Sequence, residues 1–201
     1  MIVSFGGASG TELGDSCTSV STLQAAYQRV ISQFGLTWID LDIEGAPIAN
    51  TANIDRRNQA MRNLQVANPN LKISYTLAVD RSGLPAEQIS LLRNAMTRGV
   101  RVDVVNIMAM DYGPCYSDMG QAAIDAAIAT RNQLASIGMN ARVGVTPMIG
   151  VNDVQCENFT TANAQQLVNY ANANQYIRLL AYWAQGADPN RSYISIVRNF
   201  H

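Results

Sequence analysis

The chain has 201 residues and a formal net charge of −1, and only 14% of its residues are charged. Its 48% of hydrophobic residues can build a sizeable core, which excludes global disorder, and it has no basic surplus, which excludes nucleic acid as an expected partner. No segment approaches the roughly 18 consecutive apolar residues of a membrane-spanning helix, so no membrane partner is expected either.

The predicted elements alternate between strands and helices along the whole chain. Runs of β-branched and apolar residues predict strands over residues 2–5, 38–43, 72–79, 102–110, 142–149 and 177–183. Apolar residues at helical spacing predict helices over residues 22–34, 54–67, 85–98, 119–137, 161–173 and 189–199. The predicted N-caps of the first, second and fifth helices are Ser21, Asn53 and Thr161.

Six β–α units require a parallel sheet with right-handed crossovers, either as an open doubly wound sheet or as a barrel. The glycine-rich segment over residues 6–10 opens no helix at dinucleotide-binding spacing and lacks a Walker lysine, so we interpret it as a strand-to-loop turn. Six units with long loops favour a TIM-type (β/α) barrel. A full barrel has eight units in about 250 residues, so an incomplete barrel is expected.

The scarcity of histidine and lysine narrows the chemistry that this chain can perform. His201 is the only histidine, which argues against histidine triads and histidine-ligated metals, and Lys72 is the only lysine. The three cysteines are too far apart in sequence for a CxxC metal site. Acid–base chemistry therefore rests on carboxylates, tyrosine or Lys72, and no metal or cofactor is expected.

One predicted strand combines an apolar face with a row of three carboxylates. Asp40, Asp42 and Glu44 alternate with isoleucine and leucine, so the three acids point to the same side of the strand. Carboxylates in line on a buried strand lose hydration and repel each other, so at least one is expected to hold a proton at neutral pH. A general acid is prepared in this way, and catalysis is the favoured interpretation. A solvated edge strand and a site for a hard cation stay open as alternatives.

Four segments in chain order resemble the family 18 glycoside hydrolases, the family of chitinases and related endo-N-acetylglucosaminidases. Residues 40–44 match the DxDxE core of that family, and residues 4–7 look like its preceding SxGG strand. Residues 108–111 look like its later MxYD strand, and Trp183 looks like the tryptophan that floors a sugar subsite. The resemblance maps the chain onto strands three to eight of the family's barrel. Segments 106–113 and 181–186 look like the corresponding segments of actinobacterial chitinases.

Three departures from the family pattern affect the expected site. Thr37 and Trp38 stand where the family usually has Asp-Gly, so an indole fills interior volume beside the carboxylates. Met110 stands where the family has a tyrosine, and Tyr112 is the expected substitute for that tyrosine's hydrogen bond to the substrate acetamide. The third departure is that the first two strands of the family's barrel have no counterpart in these residues.

The resemblance implies hydrolysis of chitin or chito-oligosaccharides by a retaining mechanism in which the substrate's own acetamide takes part. Glu44 is the expected general acid and then general base. Asp42 is expected to hold the acetamide N–H and support the oxazolinium ion, while the deeper Asp40 shares a proton with Asp42. The three carboxylates are expected to titrate as a coupled set.

Further residues are assigned to the site by the same resemblance. Asp111 and Tyr112 complete the expected catalytic set. The expected substrate-binding residues are Trp183, Met108, Met110, Gly7 and Gln185. Core packing is the alternative for Trp183 and the two methionines, and a surface turn is the alternative for Tyr112.

Three rival functions belong to the same fold. A non-catalytic chitinase-like sugar-binding protein typically loses the final glutamate of the motif, which is present here as Glu44. A protein inhibitor of glycosidases would not need an intact carboxylate row. An endo-β-N-acetylglucosaminidase acting on N-glycans shares the chemistry, and the motif does not separate it from a chitinase.

By the resemblance, Cys115 and Cys156 lie in neighbouring loops at the active-site end of the barrel, where a disulfide is expected, with two unlinked thiols as the alternative. A disulfide fits a secreted protein, and the odd Cys17 suggests a partner outside this sequence. Residues 1–7 lack signal-peptide features. We expect one N-terminally truncated catalytic domain over residues 1–201, with self-association through the open sheet edges.

Overall fold

A computed structural model describes residues 1–9 and 11–201, so Gly10 of the glycine-rich segment lies outside the described residues. The strands are β1 (Val3–Gly6), β2 (Trp38–Asp42), β3 (Lys72–Ala78), β4 (Val104–Met108), β5 (Arg142–Thr146), β6 (Gly150–Val151), β7 (Asn158–Phe159) and β8 (Ile177–Leu180). The α-helices are α1 (Leu13–Ser16), α2 (Val20–Phe34), α3 (Thr51–Ala67), α4 (Ala86–Thr97), α5 (Met119–Ser136), α6 (Thr161–Ala173) and α7 (Ser192–Val197).

The strand order of the main sheet is β1-β2-β3-β4-β5-β8, and this confirms the predicted α/β class. The chain divides into two compact units. The first unit comprises Met1–Leu77, Ala86–Val105 and Met139–Ala141, and the second comprises Ala78–Pro85, Asn106–Gly138 and Arg142–His201. Within the ranges that the structure describes, no helix is long and apolar enough to cross a membrane.

In the first unit β1, β2 and β3 are parallel, and their register determines which side chains meet. Asp40 lies opposite Ser4 of β1 on one side and opposite Ser74 of β3 on the other. The core of this unit is formed by helix stripes and by strand residues that point away from the polar face. Its buried members include Leu23, Tyr27, Ile31, Ile39, Leu41, Met61, Leu64, Ile73 and Leu77.

In the second unit β5 and β8 are parallel, and β6 pairs with β7 in a short antiparallel hairpin. Helix α5 is rich in alanine, and its small side chains allow close packing because they add little volume to the interface. The fully buried alanines of this helix are Ala122, Ala123, Ala126 and Ala127.

The predicted helix N-caps are wrong by one to three positions. The observed caps are Ser19, Asn50 and Thr160. Each of them has extended backbone and accepts a hydrogen bond from the backbone N–H three residues later, as a cap requires. Polar residues cluster before each helix, and the choice among them depends on backbone dihedrals that the sequence pattern does not give.

Several predicted strands are longer than the observed ones. Strand β5 ends at Thr146, because Pro147 has no N–H to continue the ladder. Pairing resumes only as an isolated bridge between Met148 and Trp183, so the predicted extensions to residues 149 and 183 are extended chain rather than strand. The predicted final helix over residues 189–199 is reduced to α7, and the prediction missed α1 and the β6–β7 hairpin.

Candidate active site

The three carboxylates of the predicted row lie at the C-terminal end of β2 in the first unit. Asp40 and Asp42 belong to the strand, and Glu44 follows two residues after its end. The intervening side chains point to the core and are at most 1% exposed: Ile39, Leu41 and Ile43. The strand alternation therefore aligns the acids on one side, with Asp40 buried and Asp42 and Glu44 half-buried.

Asp40 is the most deeply held of the three acids. Its carboxylate accepts hydrogen bonds from the hydroxyls of Ser4 at 2.7 Å, Ser74 at 2.5 Å and Thr76 at 2.7 Å. Burial raises the pKa of Asp40 above its ordinary value, and the hydroxyl donors oppose that rise because they stabilise the ionised form. These three donors fix the orientation of the Asp40 carboxylate.

Trp38 joins the same hydrogen-bonded group through its indole nitrogen. Its Nε1–H donates to the Ser74 hydroxyl at 3.0 Å, and the Ser74 hydroxyl in turn donates to Asp40. The Lys72 ammonium lies 5.3 Å from the centre of the Trp38 ring, in cation–π range. The unusual tryptophan is therefore a partner of the carboxylate row as well as a filler of volume.

Asp42 lies between the buried Asp40 and Glu44. Burial raises the pKa of Asp42 to about 7, and the negative charges of Glu44 and Asp40 and a side-chain hydrogen bond with Glu44 add to the rise. Among the described residues, Asp42 Oδ1 is buried and has no hydrogen-bond partner. Asp42 therefore titrates near neutral pH, and a side-chain hydrogen bond joins it to Glu44. The proton shared between Asp40 and Asp42 stays a prediction.

The two glycines after β1 allow the backbone to approach the end of β2. Gly6 has φ +112°, and the Gly7 N–H donates to the Asp42 carbonyl oxygen at 3.0 Å. An added Cβ on Gly6 would lie 1.9 Å from that oxygen, so no other residue fits there. At Gly7 an added Cβ would lie 3.8 Å from Asp42 Oδ2, so Gly7 lies beside the carboxylate.

A cleft of about 580 Å³ opens beside this row in the first unit. It is lined by Gly7, Ala8, Thr11, Glu12, Asp15, Asp42, Glu44, Gly45, Ala46 and Pro47. Glu12 is buried in its wall and forms a 3.0 Å salt bridge with the fully buried Arg57. Because Arg57 neutralises Glu12, the acids that can act on a ligand in this cleft are Asp15, Asp42 and Glu44.

In the second unit, Asp111 follows β4 and is held by the loop before β7. Its backbone is left-handed, with φ +49°, a conformation that costs energy in a non-glycine residue. Its Oδ1 accepts the Val154 N–H at 2.8 Å, and its own N–H donates to the Asn152 side chain at 3.4 Å. One carboxylate oxygen of Asp111 is therefore committed to holding the loop.

Tyr112 is not the surface tyrosine of the alternative interpretation, because its hydroxyl is buried. Within the described part of the chain, that hydroxyl has no hydrogen-bond partner. The side chain lines a pocket of about 440 Å³ whose other residues are Asp80, Arg81, Ser82, Pro114, Tyr116 and Asp125. Arg81 pairs with Asp125 at 2.6 Å and lies 4.8 Å from the centre of the Tyr116 ring.

The remaining predicted binding residues are also in the second unit. Met108 and Met110 are half-buried. Trp183 is 63% exposed, so the alternative that it belongs to the core is wrong. Its backbone is fixed by hydrogen bonds with Pro147 and Ile149, which hold an exposed ring on an ordered support.

The cysteines and Gln185 are the remaining positions that the sequence singled out. Cys115 and Cys156 form a disulfide with a Cα–Cα distance of 5.4 Å, as predicted, whereas Cys17 is unpaired in the described residues. The exposed Gln185 begins a 3-10 helix, Gln185–Ala187. No group of three histidine, cysteine or acidic side chains within residues 1–9 and 11–201 is placed to hold a metal ion.

The prediction missed the residues that hold the site acids in place. Ser74 and Thr76 are polar at alternate positions of an otherwise apolar strand, a signal that could have identified the Asp40 donors. Arg57 and Glu157 gave no such signal, because their partners are 45 residues away in sequence.

No protein-family model matches this chain, but the chain is similar to proteins named as chitinases. It is 32% identical over 208 residues to a probable bifunctional chitinase/lysozyme of Escherichia coli K12 and, over the same length, to endochitinase 11 of Metarhizium anisopliae. Both alignments cover 94% of this chain, but the chain spans only 23% and 40% of those two proteins.

The chain is also similar to a solved chitinase structure over nearly its whole length. The catalytic domain of a hyperthermophilic chitinase from Pyrococcus furiosus is 30% identical and superposes with a TM-score of 0.85, over 99% of this chain and 73% of that one. A parallel β–α fold with a DxDxE carboxylate row defines a glycoside hydrolase scaffold. At this identity and coverage, the chain belongs to glycoside hydrolase family 18, the family of these chitinases.

Proposed function

We propose that this chain hydrolyses β-1,4-linked N-acetylglucosamine polymers, chitin or chito-oligosaccharides, by a retaining, substrate-assisted mechanism. The observation that carries the proposal is the carboxylate row, in which burial and like charges raise the pKa of Asp42 to about 7 beside Glu44. The chitinases named above support chitin as the substrate class.

Glu44 is the general acid and base of the proposed reaction. Its proton goes to the glycosidic oxygen as the bond from the anomeric carbon to that oxygen breaks. The carbonyl oxygen of the 2-acetamido group forms a bond to the same carbon, which gives an oxazolinium ion and a free hydroxyl on the leaving sugar. The Glu44 carboxylate then takes a proton from water, and the water oxygen opens the oxazolinium ion with retained configuration.

Asp42 supports the positive charge that develops in this reaction. Because its pKa is near neutrality and it hydrogen-bonds with Glu44, it can pass its proton to Glu44 and become the anion that the acetamide N–H needs. Asp42 lines the cleft of the first unit, and its carboxylate is the acceptor for that N–H in this proposal.

Asp40 keeps the row charged without touching the sugar in this scheme. Its three hydroxyl donors hold it in place below Asp42, and its charge contributes to the raised pKa of that neighbour. A buried, fully hydrogen-bonded carboxylate costs little reorganisation during the reaction.

The other site residues that the family resemblance implies contribute substrate contacts in this proposal. The Tyr112 hydroxyl binds the acetamide carbonyl in this proposal, replacing the tyrosine that is Met110 here, and its support is that Tyr112 lines a pocket of its unit. Asp111 offers the substrate the carboxylate oxygen that does not hold Val154, and the exposed face of Trp183 stacks on a sugar ring.

We further propose that residues 1–201 act as one catalytic domain of a secreted protein of the actinobacterial chitinase type. The Cys115–Cys156 disulfide supports secretion. Self-association through β1 and β8, which end the strand order, is a further proposal that sedimentation velocity tests.

The test is a product assay on N-acetylglucosamine oligomers beside a high-mannose glycopeptide. Mass spectrometry is expected to detect shorter oligomers, and proton NMR the β-anomer as the first product. Cleavage of the glycopeptide alone would identify an endo-β-N-acetylglucosaminidase instead. Binding of oligomers without cleavage would identify a sugar-binding protein.

A further inference from the structure

Glu157 is a buried acid that the proposed mechanism does not use. Its side chain is fully buried, at 0% exposure. None of the ion pairs in the part of the chain that the structure describes includes it. A carboxylate buried without a cation is unfavourable unless strong hydrogen bonds hold its charge, so the partners of Glu157 indicate its role.

The partners of Glu157 are two consecutive backbone N–H groups. Tyr112 N–H donates to Oε2 at 3.0 Å, and Gly113 N–H donates to Oε1 at 2.9 Å. Each carboxylate oxygen therefore receives one charge-assisted hydrogen bond, the stronger class in proteins. Glu157 therefore holds the backbone at Tyr112, whose hydroxyl contacts the substrate in the proposed function.

The segment that carries Glu157 is itself fixed. The Glu157 N–H donates to the Val154 carbonyl at 2.8 Å, and the Glu157 carbonyl accepts from the Asn152 N–H at 2.9 Å. The preceding residue, Cys156, forms the disulfide with Cys115. Glu157 thus has a rigid base from which it can hold another loop.

The two hydrogen bonds from the backbone at Tyr112 and Gly113 to Glu157 help to set the direction of the Tyr112 side chain. Its ring lines the pocket of Arg81 and Tyr116 and packs edge-on against Tyr116, with ring centres 5.8 Å apart. Burial, with the charge of Glu157 as the next contribution, raises the pKa of Tyr112 well above its ordinary value, so the phenol stays neutral and can donate. A backbone free to rotate at Tyr112 would swing this hydroxyl away.

We propose that Glu157 is a positioning residue that fixes the Tyr112 backbone and thereby orients the Tyr112 side chain in the pocket of its own unit for its proposed contact with the substrate. This inference rests on the proposed function. The disulfide already joins the two loops, at Cys115 and Cys156, but it does not hold residues 112 and 113. The two carboxylate bonds supply that constraint, and a shift of about 1 Å at a substrate contact is enough to slow catalysis severely.

The test is a double-mutant cycle between Glu157→Gln and Tyr112→Phe, read as kcat and KM on N-acetylglucosamine oligomers. An amide side chain keeps one acceptor oxygen and turns its NH₂ group toward the other backbone N–H donor. One of the two hydrogen bonds is therefore lost with little change in side-chain volume. Glu157→Gln alone is expected to lower kcat about tenfold with KM changed less than about twofold. In the Tyr112→Phe background the same change is expected to alter kcat less than about twofold.

Leu134→Ala is the matched control, because it removes a buried core side chain of the same unit without touching either loop. It is expected to lower the unfolding midpoint and leave kcat unchanged below that midpoint. Equal effects of Glu157→Gln in both backgrounds would overturn the positioning role. A wild-type chain that cleaves no oligomer would instead overturn the proposed function.

Hydrogen exchange of the wild-type chain gives a measurement that needs no variant. The Tyr112 and Gly113 amides are expected to exchange far more slowly than other loop amides, because a buried carboxylate holds both. Rapid exchange at these two amides would contradict the proposal even if Glu157→Gln did not fold.

Discussion

Gly6 lies so close to Asp42 that a Cβ added to it would stand 1.9 Å from the Asp42 carbonyl oxygen. Real Cβ atoms stay beyond 3.0 Å of such neighbours, and Gly6 also has a positive φ of +112°. The backbone of β1 therefore supports the end of β2 from which the acids of the carboxylate row project, and it does so at a position that only glycine can occupy.

Gly6→Ala is expected to lower the free energy of unfolding by about 3 kcal/mol, since it combines backbone strain with a clash against backbone. Urea unfolding measures the loss. Gly35→Ala is the control, because Gly35 also has a positive φ, of +59°, but has no atom within 4 Å of an added Cβ. It is expected to cost about 1 kcal/mol, and equal losses in the two variants would contradict the close approach to Asp42.

Glu44→Gln is expected to reduce hydrolysis of N-acetylglucosamine oligomers to background. Oligomer binding is expected to stay within about tenfold, because the change removes a proton donor and keeps the shape. Initial rates and calorimetric titration measure the two effects. Glu87→Gln removes an exposed acid of α4 and serves as the control. Substantial activity in Glu44→Gln would show that another group is the acid.

The pKa of Asp42 predicts how stability depends on pH. Its value in the folded chain is about 7, above the ordinary 3.8, so the folded state binds this proton more tightly than the unfolded state does. Asp42 therefore contributes stability that is fully present below about pH 4 and is lost progressively as pH rises from about 4 to about 7.

Asp42→Asn is expected to flatten this dependence and to be more stable than the wild type at pH 8, while it impairs turnover. Thermal unfolding between pH 4 and pH 8 measures the change. Asp153→Asn, which removes an exposed acid, is expected to leave the pH profile as it is. A wild-type profile that is level across this range would contradict the raised pKa.

The Cys115–Cys156 disulfide closes a loop over a sequence separation of 41 residues. Replacing both cysteines with serine is expected to lower the free energy of unfolding by about 4 kcal/mol, because the unfolded chain gains the entropy of an open loop. Differential scanning calorimetry measures the loss, and Cys17→Ser is the control. Peptide mapping without reductant that finds both residues as thiols would contradict the pairing.

The main elements and the carboxylate row could be predicted because both depend on local periodicity. Alternation along β2 was enough to place Asp40, Asp42 and Glu44 on one side of the strand. The Ser4 and Ser74 donors depend on strand register, and register is a property of pairing between distant segments.

The second unit shows the same division between local and distant information. The backbone position of Tyr112 depends on a hydrogen bond to Glu157, and the two residues come together only because two loops fold against each other. The two-residue strands β6 and β7 were missed for a related reason, since two residues are too few to carry a period.

Fully deacetylated oligomers are expected to resist cleavage, although they bind in a cleft lined by acids. The proposed nucleophile is the acetamide carbonyl oxygen of the substrate, and glucosamine has none. In the proposed mechanism Glu44 transfers protons and Asp42 supports the developing positive charge, so neither carboxylate acts as the nucleophile. Chromatography of glucosamine and N-acetylglucosamine pentamers after equal incubation measures the difference. Cleavage of both at similar rates would require a carboxylate nucleophile and would contradict the substrate-assisted mechanism.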